Sequence, residues 1–114
     1  MIVVTGAAGF IGSALVWLLN QRGETDILTV DVHRSDAGEP NLEPLRYDRG
    51  YEPHESFRDR LLDGEFDGEL RGILHMGACS STTETDWDYL QRNNVVYTRD
   101  PCLAARRLGA RFVH

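Results

Sequence analysis

An α/β fold, with a parallel sheet covered by helices on both faces, is what this sequence predicts, and three observations carry the prediction. Short β-branched or apolar runs alternate with segments of helical periodicity. A glycine-rich turn joins the first run to the first helical segment. An aspartate, Asp31, closes the second run about twenty residues beyond that turn.

Residues 1–5 are a β-branched run ending on glycine, the pattern of a buried strand feeding a tight turn. Residues 11–22 follow with Ile11, Ala14, Leu15, Leu18 and Leu19 at helical spacing, and Gly23 stands where a left-handed stop belongs. Residues 26–31 return as a second strand, so the three segments form a β-α-β unit with a right-handed crossover. The stretch 32–53 is polar and rich in Gly, Pro, Asp and Arg, and a short strand is expected at 43–47. A helix over 55–62, a strand over 72–75, a long helix over 86–108 and a last strand over 110–114 complete the alternation. The long helix carries Leu90, Asn94, Tyr97, Ala104 and Leu108 in one stripe. Pro101 interrupts it, where the missing N–H costs roughly 3 kcal/mol unless a kink relieves it.

Composition narrows the function. At 114 residues the chain makes one domain, residues 1–114, and 41% hydrophobic with 26% charged residues is ordinary for a folded one. A formal charge of -6 argues against a nucleic-acid partner, which needs a basic face. Apolar stretches fall short of the roughly eighteen residues of a membrane span, and no signal-peptide pattern opens the chain, so no membrane partner and a cytoplasmic location are expected. Cys79 and Cys102 have no metal or redox spacing, which predicts neither a metal site nor a disulfide. All 12 basic residues are arginine.

The chemistry concentrates in Thr5-Gly6-Ala7-Ala8-Gly9-Phe10-Ile11-Gly12. Gly6 permits the sharp turn, Gly9 admits a pyrophosphate to the backbone, and Gly12 lets the helix pack closely on the strand, so that the helix N-terminus offers N–H groups to phosphate. Asp31 then accepts hydrogen bonds from the adenosine ribose hydroxyls, with Val32 beside it. A structural glycine turn and a solvated strand-end aspartate are the bland alternatives, but the strand, turn, helix and acid agree with dinucleotide binding in a Rossmann-type, doubly wound sheet. Asp31 by itself repels a 2′-phosphate and favours NAD over NADP. His33, Arg34, Arg46 and Arg49 could offset it, since an arginine pairs bidentately with phosphate.

The run Gly72-Ile73-Leu74-His75-Met76-Gly77-Ala78-Cys79-Ser80-Ser81-Thr82-Thr83-Glu84, followed by Arg92-Asn93-Asn94, resembles the extended short-chain dehydrogenase/reductases of the NAD-dependent epimerase/dehydratase family. The segment from Cys79 to Glu84 is similar to the heptose 6-epimerases among them. The resemblance implies that Phe10 and Ile11 contact the cofactor phosphates, and that Met76, Gly77, Ala78, Cys79 and Ser80 line the cleft beside the nicotinamide ribose. It adds Asn93 from the long helix, and gives Ser80, Ser81 and Thr82 to the hydroxyls of a nucleotide-sugar substrate. A Ser/Thr-rich loop capping the next helix fits the same residues. Members using NADP usually place lysines at the adenosine phosphate, and this chain has none. The expectation leans to NADP through Arg34, with NAD possible.

In the family, a tyrosine assisted by a lysine four residues on takes the sugar hydroxyl proton, and a serine donates to the oxyanion. None of Tyr47, Tyr51, Tyr89 and Tyr97 is followed by such a lysine. The expectation is therefore that these 114 residues are the cofactor-binding part of an epimerase, homo-oligomeric at full length, ending just before its catalytic serine. Another nucleotide-sugar epimerase or dehydratase, or a cofactor-binding module without catalysis, are the alternatives. His75 reads as a structural hydrogen-bonder rather than a base, and Cys79 as packing.

Overall fold

The computed structural model describes residues 1–32, 40–77 and 97–113. Along the chain these form β1 (Ile2–Thr5), α1 (Phe10–Gln21), β2 (Ile27–Asp31), β3 (Tyr51–Pro53), α2 (His54–Leu62), β4 (Gly72–His75), α3 (Tyr97–Leu108) and β5 (Arg111–Val113). The five strands make one parallel sheet in the order β3-β2-β1-β4-β5. Strand order reverses between β1 and β4, so the crevice of a doubly wound sheet opens at the carboxyl ends of these two strands.

Alternation along the central strand divides the core into two layers. Val3 belongs with Leu28, Val30, Phe57, Leu61, Ile73, Ala104 and Ala105, on the side of α2 and α3. Val4 faces the other way, with Ala7, Val16, Ile27 and Leu42. Both valines are fully buried, as strands covered on two faces require.

Three expectations need correction. Residues 43–47 form no strand; the third strand is Tyr51–Pro53, pairing Thr29 with Tyr51 and Asp31 with Pro53. The apolar spacing that suggested a strand serves packing instead: Leu42 is buried, and Leu45 and Tyr47 lie against the α1-side core. Proline is tolerated at the end of β3 because the strand lies at the sheet edge. The buried face of α1 is also rotated from the expected one, with Gly12, Ser13 and Val16 inward and Ile11, Ala14 and Leu18 exposed. Gly12 decides this, because its contact with the first turn fixes which side of the helix meets the sheet. Of the long helix, Tyr97–Leu108 is helical, Ala104 and Ala105 are buried and Leu108 packs beside them; residues 86–96 lie outside the described residues. The helix continues through Pro101, which is buried.

An ion pair joins α2 to α3, with Arg58 Nη2 2.6 Å and Nε 2.8 Å from Asp100 Oδ2. Burial opposes the charge on Asp100, but hydrogen bonds from Arg58 and Arg99 outweigh it and hold the carboxyl below its ordinary value. No described helix is long and apolar enough to cross a membrane.

Candidate cofactor site

The glycine turn is built from backbone laid against backbone. Gly6 has φ +65°, and a Cβ there would fall 2.5 Å from the carbonyl oxygen of Met76. At Gly12 a Cβ would fall 2.1 Å from the Gly6 carbonyl oxygen. Both positions therefore exclude every other residue for reasons internal to the protein.

Gly9 is different. Its φ of -77° and ψ of 176° are open to any residue, and the nearest atom to a Cβ is the Gly6 oxygen at 3.4 Å, an ordinary contact. Neither conformation nor packing requires glycine there. A ligand phosphate drawn close to the backbone would require it, so the turn fits a dinucleotide phosphate.

The amides around the turn divide accordingly. Ala7 N–H donates to the Val30 carbonyl at 3.2 Å, Ala8 N–H to Asp31 Oδ2 at 2.9 Å, and Gly9 N–H to the Gly6 carbonyl at 3.1 Å. The first helical bond runs from Ser13 N–H to the Gly9 carbonyl at 3.0 Å. The amides of Phe10, Ile11 and Gly12 are those that an α-helix leaves without a helical carbonyl. Gly9, as N-cap, has no side chain to satisfy them, and no acid stands in the first turn to offset the positive end of α1. Phe10 and Ile11, 85% and 62% exposed, place two apolar side chains at this mouth.

Asp31 ends β2 half-buried. Its Oδ2 takes the Ala8 amide and its Oδ1 the Val32 amide at 2.7 Å, which fixes the carboxylate in place. Each oxygen keeps lone-pair capacity for a hydroxyl. A small cleft beside it is lined by Gly6, Asp31, Val32, His54 and Gly77. His54 escaped the sequence reading because β3 was expected in the wrong place; pairing of Pro53 with Asp31 delivers the next residue to the cleft. Asn41 escaped as well, since its bond from Nδ2 to the Ala8 carbonyl, 3.0 Å, spans 33 positions.

Across the crevice, Met76 N–H donates to the Thr5 carbonyl at 3.2 Å, and Gly77 N–H to Thr5 Oγ1 at 3.1 Å. The end of β4 is thus laid beside the glycine turn, bringing together Gly6, Met76 and Gly77 from two distant motifs. His75 is 1% exposed, with Nδ1 2.7 Å from Thr5 Oγ1 and its ring 5.7 Å from that of Phe112. Arg34, Ala78, Cys79, Ser80, Ser81, Thr82 and Asn93 lie outside the described residues. Among the described residues no group of His, Cys, Asp and Glu could hold a metal ion.

Such an arrangement can hold an anion at a helix end and a diol at a strand end, in one cleft. Residues 2–114 match the profile of the NAD dependent epimerase/dehydratase family. The ADP-L-glycero-D-manno-heptose-6-epimerase of Nitratidesulfovibrio vulgaris (strain DP4) is 44% identical over 114 residues, which are 100% of this chain and 35% of that protein. A short-chain dehydrogenase/reductase superfamily protein from Agrobacterium tumefaciens, solved with bound NAD, superposes with TM-score 0.67 at 30% identity over 98% of this chain and 31% of its own. The Bordetella bronchiseptica enzyme WbmG, in complex with NAD and UDP, gives TM-score 0.74 at 25% identity, covering 96% of this chain and 34% of that one.

Proposed function

This chain belongs to the NAD dependent epimerase/dehydratase family, and on that premise we propose that it is the dinucleotide-binding part of a nucleotide-sugar epimerase, with ADP-L-glycero-D-manno-heptose as the substrate. One observation carries the binding site: Gly9 is a glycine that the protein's own conformation and packing do not need. The amides of Phe10, Ile11 and Gly12 would hold the cofactor pyrophosphate, Asp31 the adenosine ribose, and Met76 and Gly77 the floor beneath the nicotinamide ribose. When bound, the nicotinamide supplies the hydride acceptor for oxidation of the sugar to a ketone and its return. Ser80, Ser81 and Thr82 would offer hydroxyls to the sugar. The heptose assignment rests on the 44% identical relative, of which this chain spans about a third.

Cofactor choice turns on two residues. The Asp31 carboxylate, fixed by two backbone amides, favours the free hydroxyls of NAD. NADP, the reading we retain, requires Arg34 to pair with the 2′-phosphate. Calorimetric titration of NAD and NADP into the protein and into Arg34→Ala tests both levels. Saturable binding is expected, with the substitution weakening NADP more than NAD; equal losses would remove Arg34 from the phosphate site. Binding of neither dinucleotide would overturn the assignment.

A further inference from the structure

We propose that His75 is a positioning residue for the cofactor cleft, acting through Thr5 on the Gly77 amide; the proposal rests on the dinucleotide reading of the site. Thr5 Oγ1 stands between two groups. It accepts from Gly77 N–H at 3.1 Å and lies 2.7 Å from His75 Nδ1. A hydroxyl has one proton to give. Its oxygen also has two lone pairs, so beside the Gly77 bond it either gives its proton to Nδ1 or accepts from Nδ1–H. His75 thereby fixes the rotation of the Thr5 hydroxyl and aims its lone pair at Gly77.

The consequence is mechanical. Thr5 is 1% exposed and so is His75, so neither can turn to water for a substitute. Thr5 pairs with His75 in the sheet register, at the last residue of both strands. One residue further along, Gly6 lies so close to Met76 that only glycine fits, and a Cβ on Gly77 would stand 3.0 Å from Thr5 Oγ1. A Gly77 amide released from Thr5 would lift the floor of the cleft toward the glycine turn that receives the pyrophosphate. Holding that floor down is a role distinct from catalysis, because the ring is buried, with Thr5 and Phe112 against it.

The test uses His75→Leu, which removes the ring nitrogen, and His75→Asn, whose side-chain amide can occupy the place of Nδ1, in the full chain. Leucine should expose the Gly77 amide to faster hydrogen exchange and raise the dinucleotide Kd about tenfold, the loss of one hydrogen bond's worth of order. Asparagine should restore both to within about twofold. Circular dichroism of each variant accompanies the measurement, and Thr5→Ser, which keeps the hydroxyl, should behave as wild type while Thr5→Val follows leucine. A Gly77 amide still protected in His75→Leu would overturn the clamp. Loss of protection with unchanged Kd would make it merely structural. Failure of wild type to bind dinucleotide would refute the positioning role together with the reading beneath it, whereas normal binding in wild type with no change in either leucine or valine variant refutes this inference alone.

Discussion

Adding a small side chain at two glycines three residues apart should separate the architecture of the turn from its use. At Gly12 the added Cβ would fall 2.1 Å from the Gly6 carbonyl oxygen, 2.7 Å from its carbon and 2.8 Å from the Ala7 α-carbon. All three atoms are backbone, so no rotamer change can relieve them. Overpacking typically costs about 1–3 kcal/mol and here sits at the upper end, while replacing glycine by alanine inside a helix returns about 1 kcal/mol. Gly12→Ala should therefore lose about 2 kcal/mol, and its melting temperature should drop by roughly 8 °C for a domain of this size. Gly9→Ser adds a side chain where the protein has room, at an N-cap where serine is among the preferred residues. Its stability should stay within about 0.5 kcal/mol of wild type. Dinucleotide affinity should nevertheless fall by tenfold or more, about 1.4 kcal/mol, because the side chain occupies the approach to the first-turn amides. Thermal melts followed by circular dichroism, paired with calorimetric titration, read both quantities. Wild-type melting of Gly12→Ala, or wild-type affinity of Gly9→Ser, would refute the reasoning.

Acid should weaken the tie between α2 and α3. Asp100 has a folded pKa below its unfolded one, so its contribution is present above the unfolded value and is lost as pH falls through the folded one, below about 4. Urea midpoints of Asp100→Asn and wild type should then differ at pH 7 and converge toward pH 3, and a constant gap would argue against this linkage. Arg58→Ala leaves Asp100 with Arg99 as partner and should cost roughly 1 kcal/mol, measurable by the same midpoints. The 114-residue chain incubated with dinucleotide and ADP-heptose should give no epimerised sugar by NMR, because the sequence supplies no lysine to assist a tyrosine base. Turnover above a protein-free control would show that another group takes the proton.

The parts of this fold that are local in sequence could be read from it. The β-α-β unit announces itself through a β-branched run, a glycine turn and an aspartate at a fixed distance, and the sheet has the strand order that this unit begins. The third strand could not be read, because three residues ending in proline carry less strand character than the leucines upstream, which are apolar in order to pack rather than to pair. The face of α1 was misjudged for a related reason: five aliphatic residues at helical spacing look like a core stripe, yet a glycine with no hydrophobic weight sets the rotation. In the candidate site, Gly6, Gly9, Gly12 and Asp31 could be singled out from the sequence because they belong to one short segment and its sequel. His54 and Asn41 were not, since one reaches the cleft through a strand register and the other the glycine turn through a hydrogen bond, and no periodicity records either.

The contacts of Gly12 with Gly6, and of Gly6 with Met76, are contacts with main-chain atoms. Most crowded cores can be rescued genetically, because a neighbour's side chain can be trimmed to make room for an enlarged one. Here there is nothing to trim: a carbonyl group is the same size in all twenty amino acids. A search for second-site suppressors of Gly12→Ala should therefore yield true revertants and general stabilisers elsewhere in the fold, but no compensating partner at position 6 or 76.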